Sequence, residues 1–238
     1  MTSGKKTAIV TGISSGIGFA IAQAYLARGL NVVGCARTPE RLRAAQKLGG
    51  PGRFAFLAGD ISKPVTARAL FRHAIDCFGA VDILINNAEL FIAKPIVDYS
   101  GEELESMVDA DLRGFFYPSQ QAARHMSARG RGHIVNVAAS LAAQASARAP
   151  AALASLMIGG IDHATRSLAL ELAPHHVNVN AVVPRGYDTP AAGSLYRAAS
   201  EGTRETIREI VDAVLDLTDT DSMTGKVIPV GGLLADAA

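Results

Sequence analysis

The 238 residues contain no tryptophan and two cysteines, and aromatics make up 5% of the chain. Cys35 and Cys77 have neither metal-ligand spacing nor the makings of a disulfide framework, so a zinc module and a disulfide-stapled secreted domain gain no support. Two reduced thiols in a cytoplasmic protein are expected. An excess of one charge sign is lacking too: 23 Lys and Arg stand against 22 Asp and Glu, a net charge of +1. The basic residues form no block, which leaves nucleic acid without a footing. No apolar run reaches the ~18 residues that a membrane-spanning helix needs. Met1–Lys6 leads into a strand pattern rather than into the apolar core of a signal peptide, so neither a membrane nor an export signal is expected.

What the chain does have is apolar residues in short, regularly spaced runs. They make up 49% of it, enough for one sizeable core, and a single domain over 1–238 is expected. Thr7–Val10, Asn31–Cys35, Phe54–Leu57, Asp82–Asn86, His133–Ala138, Val177–Val182 and Val227–Val230 read as strands, rich in Val, Ile and Phe and bounded by Gly, Asp or Pro. Gly16–Arg28, Pro39–Leu48, Pro64–Phe78, Glu102–Arg129, Ala151–Leu172 and Thr203–Leu217 read as helices. Near-continuous apolar strands alternating with helices predict an α/β fold, a doubly wound parallel sheet covered on both faces. Pro184–Thr203, rich in Ala, Gly and Ser, is the expected loop over the cleft.

The first strand runs into Thr11-Gly12-Ile13-Ser14-Ser15-Gly16-Ile17-Gly18. Glycines there allow a tight turn and close approach to a pyrophosphate, while the next helix offers N–H donors and the positive end of its dipole. Gly12 to Gly16 also fits the Gly-x-Ser-x-Gly elbow of hydrolases, but no later acid and histidine are placed convincingly for that chemistry. The second strand ends in Cys35-Ala36-Arg37. Ala36 cannot bind a ribose 2′-hydroxyl, whereas Arg37 can pair with a 2′-phosphate, so NADP(H) is expected over NAD(H).

The glycine spacing, Gly59-Asp60-Ile61, Ile85-Asn86-Asn87-Ala88, Gly132–Val137, Gly159-Gly160-Ile161-Asp162, Val179–Pro184 and Thr224–Val227 together resemble the short-chain dehydrogenase/reductase family over nearly the whole chain. The resemblance implies that Gly12, Ser14, Gly16, Ile17, Gly18, Arg37, Asp60, Ile61, Asn87 and Ala88 hold the adenine and pyrophosphate half of a dinucleotide. It also implies a homodimer or homotetramer, or pairing with a related subunit, through Glu102–Arg129 and Ala151–Leu172.

The chain departs from the family pattern at the chemistry. The family's tyrosine general acid and the lysine that lowers its pKa fall on Ala154 and Ile158, its serine on Ala139 with Ser140 adjacent, and its asparagine on Asp111. Glycines near the nicotinamide have become Glu89 and Arg185. These replacements put binding of the nicotinamide half in doubt, and they lead to an expectation of lost carbonyl reduction. The cleft would instead host non-redox chemistry on Glu89, Asp111, Ser140 and Arg185, with a regulatory partner as the alternative. A third reading is a reductase that takes its proton from water or Tyr187.

Overall fold

The computed structural model describes residues 5–37, 48–138, 150–184 and 201–231, with side chains from 205 onward in the last stretch. Seven strands form one sheet: β1 (Thr7–Thr11), β2 (Asn31–Ala36), β3 (Phe54–Ala58), β4 (Ile83–Asn86), β5 (Gly132–Val137), β6 (Val177–Pro184) and β7 (Val227–Val230). Their spatial order is β3-β2-β1-β4-β5-β6-β7, and every neighbouring pair is parallel. β1, β2, β4 and β5 are buried throughout, which is why their sequences carry no alternating polar face. The order reverses between β1 and β4, and in sheets of this kind ligands bind beyond the strands' carboxyl ends at such a point.

The helices are α1 (Gly16–Ala27), α2 (Pro64–Phe78), α3 (Gly101–Met107), α4 (Gly114–Arg129), α5 (Ala152–Leu172) and α6 (Glu201–Asp219). One core layer places Ile21, Tyr25 and Leu26 of α1 with Ile210 and Val214 of α6 against the sheet. The other places Leu70 and Phe71 of α2 with Met126 of α4 and Leu172 of α5 on the opposite face. A smaller apolar cluster, including Phe91, Met107, Leu153, Ala154 and Ile158, sits apart from both layers.

The expected strands form, shifted by no more than a residue or two at their ends. The expected helix Pro39–Leu48 lies outside the described residues except for Leu48, which is buried. The helix expected over Glu102–Arg129 is not continuous. A π-helical stretch, Val108–Arg113, separates α3 from α4. Periodicity cannot reveal this, because one wide turn barely alters the spacing of apolar residues. Pro118, inside α4, has no N–H to give the helix ladder, and within the π-helical stretch Asp111 Oδ1 accepts from the Leu90 N–H.

Candidate active site

The loop after β1 is tied to the loop after β4 by one hydroxyl and one amide. Thr11 Oγ1 accepts from the N–H groups of Asn87 (2.9 Å) and Ala88 (3.1 Å). Asn87 Nδ2 donates to the carbonyls of Thr11 (3.1 Å) and Gly12 (3.3 Å). The knot explains two of the three glycines. A Cβ on Gly18 would lie 2.4 Å from Asn87 Nδ2 and 2.6 Å from the Gly12 carbonyl oxygen, and one on Gly12 would lie 2.9 Å from Asn87 Nδ2. Gly12 also has φ +67° and Gly16 φ +60°, which favour glycine. Close approach at Gly12 and Gly18 is thus made by the chain's own Asn87. Thr11 is the residue that sequence reasoning missed here, and a hydroxyl at the end of a fully buried strand was the available signal.

The N-terminus of α1 fits a pyrophosphate. Its N-cap, Ser15, makes no side-chain cap, and no acidic residue lies in the first turn, so the helix's leading N–H groups remain available to an anion. Ser14 is half-buried beside them, while Ile17 is 8% exposed and packs in the core. Arg37 is exposed at the end of β2. Asp60 is half-buried, and its Oδ1 accepts from the Ser62 N–H (3.0 Å), while Ile61 is a core residue at 7% exposure. Lys63 lies 4.0 Å from Asp60 and 2.9 Å from Asp109, and Asp109 in turn pairs with Arg113. These exposed ion pairs run from the turn after β3 to the π-helical stretch.

The carboxyl ends of β4 and β5 meet α5 and the π-helical stretch around a cavity of about 20 Å³. Its walls include Asn86, Glu89, Asp111, Asn136 and Ile158. Asp111 is 5% exposed, and its Oδ1 accepts from the Leu90 N–H at 2.8 Å. Burial opposes its charge more than that one hydrogen bond favours it, and the pKa is pushed up to about 7. Ile158 supplies only hydrocarbon to the wall, and Ala154 is buried in the small apolar cluster with it. Glu89 and Asp111 are therefore brought to one cavity as expected, with Asn87 and Ala88 close by at the end of β4. Ser140 and Arg185 lie outside the described residues.

Beneath the cavity runs a buried polar ladder. Asn86 Nδ2 donates to Ser119 Oγ (2.9 Å) and Asn136 Oδ1 (2.8 Å), and Asn136 Nδ2 donates to Thr165 Oγ1 (2.8 Å). Sequence reasoning had Asn86 and Asn136 only as parts of motifs and did not anticipate the ladder.

A parallel sheet with a switch point, an uncapped glycine-rich helix start beside it and a titratable group at the adjoining strand ends together define a dinucleotide-binding oxidoreductase fold. The family model for short chain dehydrogenases matches residues 6–200, and the chain belongs to that family. It is 33% identical over 208 residues to the 2-dehydro-3-deoxy-D-gluconate 5-dehydrogenase of Escherichia coli (strain K12), covering 86% of this chain and 80% of that protein. A short-chain type dehydrogenase/reductase from Mycobacterium marinum superposes with a TM-score of 0.83 at 27% identity, covering 95% of this chain and 94% of the other. The 3-ketoacyl-(acyl-carrier-protein) reductase from Brucella melitensis, solved in complex with NADH, gives 0.83 at 26% identity and covers 95% of this chain and 97% of its own.

These relatives correct one expectation. Lost carbonyl reduction, with the cleft turned to non-redox chemistry or to a regulatory role, is contradicted by relatives that are named as dehydrogenases and reductases. The identities of Ala154 and Ile158 show which side chains are absent, and which other groups the fold brings to the cleft is not written at those two positions. Among the described residues no helix is long and apolar enough to cross a membrane.

Proposed function

We propose that the chain is a nicotinamide-dinucleotide-dependent oxidoreductase that interconverts an alcohol and a carbonyl compound, with Asp111 exchanging the proton. The observation that carries this reading is the buried Asp111 carboxyl on the wall of the cavity at the ends of β4 and β5, with its pKa pushed up to about 7. A group that is half protonated near neutral pH can both donate to a developing alkoxide and accept from an alcohol, which suits a reversible reaction. The dinucleotide, when bound, supplies or accepts the hydride. The start of α1 and the glycine turn would hold its pyrophosphate, Asp60 would border the adenine, and Arg37 would pair with a 2′-phosphate, favouring NADP(H). Hydride transfer needs the nicotinamide half as well, so this reading takes in the whole dinucleotide. Glu89, also on the cavity wall, would orient a polar substrate group.

The test is oxidation of NADPH and NADH with a panel of ketones, keto acids and sugar-derived carbonyl compounds. Substrate-dependent oxidation, with NADPH preferred, is expected. No oxidation of either nucleotide with any member of the panel would overturn the reading.

We further propose that the chain self-associates through α4 and α5. Phe116 is 49% exposed on α4, and Leu156 and Leu170 are 68% and 78% exposed on α5, large apolar side chains that a partner helix pair would cover. Light scattering is expected to give twice or four times the monomer mass. A monomer at micromolar concentration would contradict it.

A further inference from the structure

At the amino ends of the central strands, the connection between α2 and β4 is held by two residues of α4. His125 and Arg129 are four residues apart, on one face of that helix. Both grip the same residue, Val81. The Val81 N–H donates to His125 Nε2 (3.1 Å), and Arg129 Nη1 donates to the Val81 carbonyl (2.8 Å). Arg129 Nη2 reaches on to Asp82 Oδ1 (3.0 Å). Asp82 Oδ2 accepts from the Thr7 N–H (2.9 Å), and the Asp82 backbone bonds to Thr7 and His133 (2.9 Å each). The clamp therefore closes on the residue that ties the starts of β1, β4 and β5 together.

The bond between Val81 and His125 fixes a protonation state. A backbone N–H can only donate, so Nε2 must keep its lone pair and the imidazole must be neutral, with its proton on Nδ1. Val81 is fully buried, so loss of this acceptor strands its N–H away from water. A proton on the ring would also add a third cation around one carboxylate. Asp82 already serves Arg129, and Arg131 Nε lies 4.0 Å from the same Oδ1. Burial, and then the Arg129 charge, hold the His125 pKa below its ordinary value against the pull of Asp82. The other titratable groups nearby are engaged elsewhere or face solvent. His133 on β5 pairs with Asp221 (3.1 Å), His73 and Cys77 on α2 lie against each other (3.9 Å), and Asp76 on α2 is exposed.

We propose that His125 is a pH-operated latch: neutral, it closes the clamp on the connection between α2 and β4, and protonated, it releases the Val81 N–H and lets that connection open locally. The latch sits at the opposite end of the sheet from the candidate site, so it does not rest on the oxidoreductase reading above. A histidine with a lowered pKa in the folded state takes up its proton more readily when unfolded. Its contribution to stability is therefore fully present above about pH 6.5 and is lost as the pH falls below that value. A buried carboxyl such as Asp111 gives a slope of the opposite sign, which keeps the two groups separable.

Amide hydrogen exchange, followed residue by residue by NMR, tests the latch. The protection factor of Val81, taken relative to that of Leu84 in β4, should fall about tenfold between about pH 7.5 and about pH 5.5 in the wild type, because one buried bond is lost while the strand stays folded. In His125→Gln the side-chain carbonyl can accept the same hydrogen bond and does not titrate, so the ratio should not change with pH. A ratio independent of pH in the wild type, or one that falls equally in a folded His125→Gln variant, would overturn the proposal. The ring nitrogen shifts of wild-type His125 give a second reading that needs no variant. A neutral ring protonated on Nδ1, with a pKa below about 6.5, is expected. A neutral ring protonated on Nε2, or a pKa at or above that value, would contradict the latch.

Discussion

The two ends of the candidate cleft are built on different principles. At the glycine-rich end, Thr11 Oγ1 and Asn87 Nδ2 bond to backbone groups across the two loops, and Gly12 and Gly18 leave little room there for other side chains. At the far end, Asp111, Asn86 and Ile158 surround a cavity whose chemistry comes from desolvation. The first is a steric construction, and a single added methyl group disturbs it. The second is an electrostatic construction, where removing one charge matters more than any change of shape. Substitutions at the two ends should therefore fail in different ways.

The largest effect is expected from Asp111→Asn. It keeps the shape and removes the titrating proton, so turnover should fall ~10²- to 10⁴-fold while dinucleotide affinity, measured by calorimetry, stays within a factor of about two. Loss of affinity together with rate would move Asp111 from chemistry to binding and erase the contrast between the ends.

Stability should carry the signature of the same carboxyl. Its folded pKa of about 7 lies above the unfolded value near 3.9. Between those values the folded state holds the proton more tightly, so this group makes stability fall as pH rises from about 4 to about 7, and adds no further slope above that. The change is on the order of a few kcal/mol. Urea denaturation of the wild type and of Asp111→Asn should show that component of the slope in the wild type and not in the variant. Equal slopes would mean the carboxyl is not held neutral by burial.

At the other end, Gly18→Ala should cost ~1–3 kcal/mol of stability, because the new methyl meets the Gly12 carbonyl oxygen, a backbone atom with little freedom to move. Thermal unfolding with and without dinucleotide reads this directly, and a variant as stable as the wild type would show the knot to be slack. The smallest effect is expected from Arg37→Ala. Losing one charge-assisted contact should lower the NADPH over NADH preference by about tenfold, with stability unchanged. An unaltered preference would remove Arg37 from the cofactor site.

The steric end was the more legible in the sequence. Glycine spacing after an apolar strand announces a turn, and the doubly wound sheet follows from seven apolar runs alternating with helices. Even there the reason for Gly12 and Gly18 was hidden, since Asn87 lies far along the chain and meets them only once β1 and β4 pair. The electrostatic end was legible as a set of residues and not as chemistry. Asp111 could be named as a replaced asparagine, but it is buried within the π-helical stretch and takes a hydrogen bond from the Leu90 backbone. Neither leaves a periodic signal. Reading Ala154 and Ile158 alone led toward lost redox chemistry, since a motif position records which group is gone and not which neighbour the fold has made titratable.

The central claim, that Asp111 exchanges the proton, is tested most directly by the pH dependence of kcat/KM in both directions. Reduction of a carbonyl substrate by NADPH needs Asp111 protonated, so its rate should fall as pH rises through about 7, whereas oxidation of the corresponding alcohol should rise over the same range. Both inflections should vanish in Asp111→Asn. If the variant keeps the wild-type rate and both inflections, another group carries the proton and the account of this site is wrong.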